Sequence, residues 1–384
     1  MTNQSTNKRT SSPFRYDVVG SFLRPKKLKE ARIKFQEGQI SKAELKKIED
    51  TAIIDLIKKQ EKIGLKAVTD GEFRRSWWHL DFFWGLNGIT FKEPAQGYLF
   101  EGEETRKGTV TVTGKVTGNN HPFVEHFKFV RDHVSEKTQV KQTIPAPAQI
   151  LGEVFRPDNI SDLRQFYATD ELFITDLVAA YKQVIADLYS AGLRTLQLDD
   201  CTWGILVAPF PEGFIDPNDS RTEAEIRADL KELYVSVNNA VIEGLPADLT
   251  VNTHVCRGNY HSTWAFSGGY DAVVDPLFTR EKVNAYHLEY DSDRSGGFEP
   301  LQFVQPDQLV VLGLITSKNG QLEDRDQIIS RIKEASQFIP LDRLCLSPQC
   351  GFASTEEGNI LTEKQQWEKI RLIRSIAKEI WGID

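Results

Sequence analysis

Only four cysteines, Cys201, Cys256, Cys345 and Cys350, occur in 384 residues. That number excludes a disulfide framework, and with no export signal reduced thiols are expected. No apolar run approaches the roughly 20 residues of a membrane span. The opening MTNQSTNKRTSS is polar and lacks an apolar h-region, so it reads as a short disordered tail over 1–13, not as a secretory signal. Repeats, low-complexity tracts and Pro/Gly-rich linkers are missing beyond it. Basic excess is missing too: Lys+Arg 47 against Asp+Glu 55 gives a net charge of −8. The balance argues against a dedicated nucleic-acid or membrane-surface binder and fits a cytoplasmic protein acting on small molecules.

What is present is an alternation. Eight short β-rich runs fall at 17–22, 67–72, 142–147, 195–200, 249–256, 285–291, 309–316 and 344–350. Helical patterns lie near 41–63, 121–135, 169–191, 222–243, 270–281, 298–305, 323–337 and 362–381. Eight strands alternating with helices predict a (β/α)8 TIM barrel over 14–384, with a doubly wound open sheet as the competitor. One stretch, 76–120, breaks the rhythm after the second strand. It carries Trp77, Trp78, Phe82, Phe83 and Trp84, and then TVTVTGKV at 109–116, whose alternation reads as a hairpin. An elaborated βα loop lies on the functional side of a barrel; a packing lid without ligand contact is the plainer alternative.

Reactive side chains collect at the C-terminal ends of the predicted strands: Asp70-Gly71-Glu72, Asp199-Asp200-Cys201, His254-Val255-Cys256, His287-Leu288-Glu289, and Cys350. His254 and Cys256 are two apart on a strand and so share a face. An imidazole and a thiolate side by side are half of a tetrahedral zinc site. Cys350 offers a second thiolate, and Glu289 or a substrate the fourth position. A buried cysteine beside a satisfied histidine is the competing reading. Thiolate-rich zinc is a poor activator of water and suits holding a substrate thiol for alkylation.

These residues resemble the catalytic, C-terminal barrel of cobalamin-independent methionine synthase and its short single-barrel relatives. The likeness is carried by Val19-Gly20-Ser21-Phe22, Asp70-Gly71-Glu72-Phe73-Arg74-Arg75, Gln197-Leu198-Asp199-Asp200, His254-Val255-Cys256-Arg257-Gly258-Asn259, Glu289 with Arg294, and Ser347-Pro348-Gln349-Cys350-Gly351. The resemblance implies Zn2+ held by His254, Cys256, Glu289 and Cys350, with Cys201 and Cys345 dispensable. It implies that Glu72 and Asp199 hold the amino group of homocysteine, and that Ser21 and the backbone of Val19 hold its carboxylate. A structural ion pair with Arg74 or Arg194 is the plainer reading of those two acids. The product would be methionine and the donor 5-methyltetrahydropteroyltriglutamate.

The donor side departs from the family. No counterpart of the large N-terminal half-domain that helps bind folate is expected. Thr316 stands where the acid histidine should be, with His287 as a stand-in. The pterin-stacking tryptophan is replaced near Gly152-Glu153, and the usual Asp-Glu pair reads Asp199-Asp200. A sulfonium or a methylated corrinoid protein as donor therefore stays open. So do another thiol acceptor, a homo-oligomer, and a zinc-binding protein without turnover.

Overall fold

The computed structural model describes residues 9–210, 214–215 and 219–383. Along the chain the strands are β1 (Ala67–Val68), β2 (Asn87–Lys92), β3 (Leu99–Phe100), β4 (Glu103–Glu104), β5 (Thr109–Thr117), β6 (Gln139–Pro145), β7 (Thr195–Asp200), β8 (Thr250–Val255), β9 (Ala285–Glu289), β10 (Leu309–Ile315) and β11 (Leu344–Pro348). Seven of them form one curled parallel sheet in the order β1-β6-β7-β8-β9-β10-β11. The α/β barrel is therefore the fold, and the open doubly wound sheet is not.

The run expected at 17–22 does not form a ladder strand. It spans the gap between β11 and β1. Tyr16 bridges Leu346, and Asp17 N–H donates to the Leu346 carbonyl at 3.0 Å. On the other flank Thr69 Oγ1 donates to the Gly20 carbonyl at 2.5 Å, and Phe22 N–H to the Gly71 carbonyl at 3.1 Å. The second run stops at Val68 because Gly71 and Glu72 take φ of 68° and 61°. Those angles belong to the left-handed region and break an extended chain. Residues 1–8 of the expected tail lie outside the described residues. Ser12 is buried, and its hydroxyl lies 3.3 Å from Asn252 Nδ2 and 3.4 Å from Asp17 Oδ2 at the barrel floor.

Helices cover the sheet at six of the eight places where the periodicity put them; the 298–305 pattern is only a 3-10 turn, Glu299–Phe303, and the 270–281 pattern is a 3-10 turn, Tyr270–Val273, followed by the short kinked helix Val274–Arg280. Ser41 with Glu44, Thr222 with Glu225, and Thr362 with Gln365 form capping boxes at the starts of Lys42–Ile63, Glu223–Ile242 and Glu363–Trp381. The helices Lys26–Gln36 and Pro157–Phe166 have no counterpart in the pattern reading. Among the described residues no helix is long and apolar enough to cross a membrane.

The 76–120 stretch is built from two antiparallel pairs. TVTVTGKV is not a hairpin by itself: it belongs to β5, which pairs with β2, while β3 pairs with β4 in between. Val110, Val112 and Val116 are buried while Thr113 and Lys115 are exposed, so the strand packs one face inward along its length. Phe82, Phe83 and Trp77 join the core, with Phe82 packed on Phe123 and Tyr181 at ring separations of 5.4 and 5.0 Å.

Candidate metal and substrate site

His254 near the end of β8, Cys256 just beyond it, Glu289 at the end of β9 and Cys350 just past β11 converge at one mouth of the barrel. One ligand atom from each lies within 4.8 Å of all the others, and all four residues are buried. His254 Nε2 is 3.4 Å from Cys350 Sγ, and Cys256 Sγ is 3.7 Å from Cys350 Sγ. His254 Nδ1 sits 3.2 Å from the His287 carbonyl oxygen, which can only accept. The ring proton therefore belongs on Nδ1, leaving the Nε2 lone pair aimed at the sulfurs.

Glu289 is held at both oxygens, by Arg257 N–H at 3.1 Å and by Arg294 at 3.0 Å. Burial would raise its carboxyl, but Lys318, Arg294 and Arg257 outweigh burial and hold it down to about 2. The thiols behave oppositely. Contact with Cys201 and burial push Cys256 well above the ordinary thiol range, and contact with Cys256 and burial do the same to Cys350. Alone, these thiols stay neutral; a dication is what would hold them as thiolates. Two sulfurs, an imidazole and an ionised carboxylate fit zinc.

Cys201, read as dispensable for the metal, lies against Cys256. The turn after β7 carries it toward the mouth, although it is not among the four clustered donors. Cys345 lies at the other end of β11, buried, with its Sγ 3.9 Å from the Pro13 carbonyl.

The substrate-side acids also meet. Glu72 and Asp199 are buried, and burial raises both carboxyls to about 7, helped at Glu72 by the nearby Asp199 and at Asp199 by its neighbour Asp200, against the pull of Arg75 on both and of the Gln197 hydrogen bond on Asp199. Neither Arg74 nor Arg194 pairs with them. Arg74 turns to Glu49 and Asp50, and Arg194 to Asp248. Arg75 instead lies 3.3 Å from Glu72 Oε1, which also accepts from Thr143 Oγ1 at 3.0 Å. Glu72 Oε2 has no partner. A buried acceptor without a donor is costly, and an ammonium would satisfy it. Glu72 sits at φ 61°, a strained angle for a residue with a Cβ, and such strain gathers at functional positions.

Gly20 puts its Cα against this pair: a Cβ there would meet Thr143 at 2.7 Å and stand 3.7 Å from Glu72 Oε1. Ser21 lies beside the turn after Cys350. A Cβ on Gly351 would overlap Ser21 Oγ at 2.0 Å. Val19 faces inward, and its carbonyl accepts from Gln197 Nε2 at 2.7 Å, while the same Nε2 is 2.7 Å from Asp199 Oδ1.

The donor side is different. Thr316 N–H donates to Glu323 at 2.9 Å, and its hydroxyl accepts from Lys318 N–H at 3.2 Å. His287 is not a usable acid: burial, with Lys141 and His254 nearby, drops its pKa well below the ordinary imidazole value, and neither ring nitrogen has a partner. Glu153, in the stretch where the resemblance placed the replacement of the stacking tryptophan, accepts from Tyr98 at 2.8 Å and Thr109 at 2.6 Å and lies 3.7 Å from His79. It ties the insertion to the barrel. Pattern reading missed Arg75 and Lys318. Arg75 was visible as the second arginine of Asp70–Arg75, but only the contacts chose between the two.

Residues 14–378 match the family described as the cobalamin-independent synthase catalytic domain. The chain belongs to that family. It is 43% identical over 383 residues to the uncharacterized protein YxjH of Bacillus subtilis (strain 168), covering 98% of this chain and 97% of that one. It is 23% identical over 370 residues to a methionine synthase of Saccharolobus solfataricus, covering 92% and 90%. The putative vitamin-B12 independent methionine synthase from Listeria monocytogenes superposes with a TM-score of 0.73 at 37% identity, covering 98% of this chain and all (100%) of that one. A B12-independent methionine synthase from Shewanella sp. W3-18-1, at 18% identity and a TM-score of 0.71, shares the fold over 96% of this chain and 98% of its own. The family and these neighbours indicate a methyltransferase of the methionine synthase type.

Proposed function

We propose that this protein methylates the thiol of homocysteine to give methionine, using zinc held by His254, Cys256, Glu289 and Cys350. The observation that carries the reading is the convergence of those four donor atoms within 4.8 Å. When bound, zinc supplies the positive charge that keeps a substrate thiol deprotonated near neutral pH. Everything else falls to the chain. Glu72 and Asp199 take the ammonium, with Glu72 Oε2 as the open acceptor. Ser21 and the Val19 backbone take the carboxylate. Arg294 and the Arg257 N–H hold Glu289 ionised. A thiol carrying a sulfonate in place of the amino acid would find carboxylates where it needs cations, so an amino-acid thiol is favoured.

By family the donor is 5-methyltetrahydrofolate, as its polyglutamate. A specific pair of observations favours a second donor class. The Thr316 hydroxyl, which accepts from Lys318 N–H, is far too weak an acid near pH 7, and His287 is held neutral, so neither supplies a proton to a departing amine. A sulfonium or a methylcorrinoid, carried by a protein or free, leaves without one. The reaction suits a cytoplasmic enzyme.

The test is methionine formation by purified protein from homocysteine, with methylfolate mono- and triglutamate, S-methylmethionine and methylcobalamin in parallel. Methionine from none of them, with zinc bound, would reject the reading.

A further inference from the structure

The tip of the insertion, 99–104, packs onto the loop that follows the metal-side cysteine. Glu101 N–H donates to the Trp264 carbonyl at 2.8 Å. Phe100 packs on Tyr260 with ring centroids 5.4 Å apart, and its edge lies so close to Gly258 that a Cβ there would stand 3.0 Å away. Gly258 N–H in turn points at Cys256 Sγ, 3.3 Å away. Beyond the contact, Ala265 and Phe266 N–H both return to the Arg257 carbonyl at 3.0 Å, and Arg294 lies over the Trp264 ring at 5.4 Å while holding Glu289. A short chain of contacts thus joins the tip to Cys256 on one side and to Glu289 on the other.

The fastening is uneven. At the base, Arg106 donates to the Ser76 carbonyl at 2.6 Å, pairs with Glu357 at 2.8 Å and covers the Trp77 ring at 4.3 Å. At the tip, a Cβ on Gly102 would meet nothing within 4 Å, and Leu99 is 61% exposed. The pair between Glu103 and His261, at 3.0 Å, is largely solvated, with side chains 33% and 48% exposed, and contributes little. The loop beneath is strained: His261 and Ser262 sit at φ 46° and 71°. A firm base, a weakly held tip and a strained seat are the ingredients of a segment that opens without global unfolding.

We infer that the 99–104 hairpin is a lid over the metal-side cleft, and that Phe100 and Trp264 are positioning residues that hold loop 257–266 against Cys256 and, through Arg294, Glu289. Closing the lid excludes water from the thiol; opening it admits the thiol. The inference rests on the proposed ligand set for its effect on metal, but not for the lid itself.

The experiment separates the two. In metal-free protein, alkylation of Cys256 by iodoacetamide, followed by peptide mass spectrometry, should be about tenfold faster in Phe100→Ala, the order expected for loss of an aromatic contact. Phe100→Tyr should restore the wild-type rate, and Glu103→Gln should raise it by about twofold. Cys345, at the barrel floor, should label at an unchanged rate in every variant, which excludes general loosening. In zinc-loaded protein, Phe100→Ala and Trp264→Leu should release metal to a chelator about tenfold faster. Unchanged Cys256 labelling in Phe100→Ala, or an equal rise at Cys345, overturns the lid. Absence of bound zinc with accelerated Cys256 labelling overturns the ligand reading and leaves the lid standing.

Discussion

Where β8, β9 and β11 end, four donor atoms crowd within 4.8 Å, and His254 and Glu289 each have a neighbour that fixes their orientation. Where β10 ends, between two of those strands, Thr316 is spent on Glu323 and Lys318, and no acid faces the mouth from its position. The two regions share a sheet and a rim, but only one is organised for chemistry by its own residues. A thiol acceptor always needs the same activation, whereas the demand for an acid depends on what leaves. A site can therefore keep its acceptor half whole while its donor half drifts to another leaving group.

The hardest blow to this contrast is at the metal. Cys256→Ser should empty the site and lower methionine formation by about 10³-fold or more, several kcal/mol of stabilisation being at stake. Cys345→Ser should retain both zinc and activity. Equal zinc content in the two variants, measured by elemental analysis, breaks the contrast at its stronger end.

The donor end can be repaired instead of broken. A positioned acid is worth about 10²–10⁴-fold, so Thr316→His should raise turnover with methylfolate triglutamate by about 10²-fold and leave a sulfonium donor unaffected. Wild-type turnover with methylfolate near or above ~1 s⁻¹, ordinary for enzymes, would mean that another acid already serves.

On the acceptor side, Glu72→Gln should raise the homocysteine KM by about 10–10²-fold with zinc retained, since one charge-assisted hydrogen bond is lost. A fall in kcat without a change in KM would show that Glu72 does not hold the ammonium.

The smallest effect separates the two acids that end β7. Asp199 faces the substrate side, while Asp200 accepts from Asn238 Nδ2 at 2.9 Å, and the same nitrogen reaches Glu281 at 3.0 Å. Burial, with Asp200 nearby, pushes the Glu281 carboxyl up to about 8. Its unfolded value is near 4.3, so the folded chain holds this proton more tightly across about pH 4.3–8. Stability from Glu281 is therefore full below that window and is lost as pH rises through it. Glu281→Gln should remove at least ~1 kcal/mol of the pH dependence of unfolding between about pH 5 and 8 and leave the homocysteine KM unchanged. Identical pH profiles for wild type and variant would place the buried proton elsewhere.

The sequence by itself determined the alternation of strands and helices and the placement of His254, Cys256, Glu289 and Cys350 at strand ends. Each of these rests on a local period or on a family motif, and both survive without knowledge of the fold. Tertiary structure alone decided how the barrel closes, because a segment bonded at a few points to both neighbours has no period of its own to read. It decided that Arg75 and not Arg74 faces Glu72, since adjacent residues in a turn diverge by angles that only the backbone sets. It paired β5 with β2 across a second hairpin, brought Cys201 against Cys256, and set the Glu323 carboxylate on the Thr316 N–H. Those contacts lie between residues far apart in the chain or in irregular turns, where side-chain direction follows packing and not propensity.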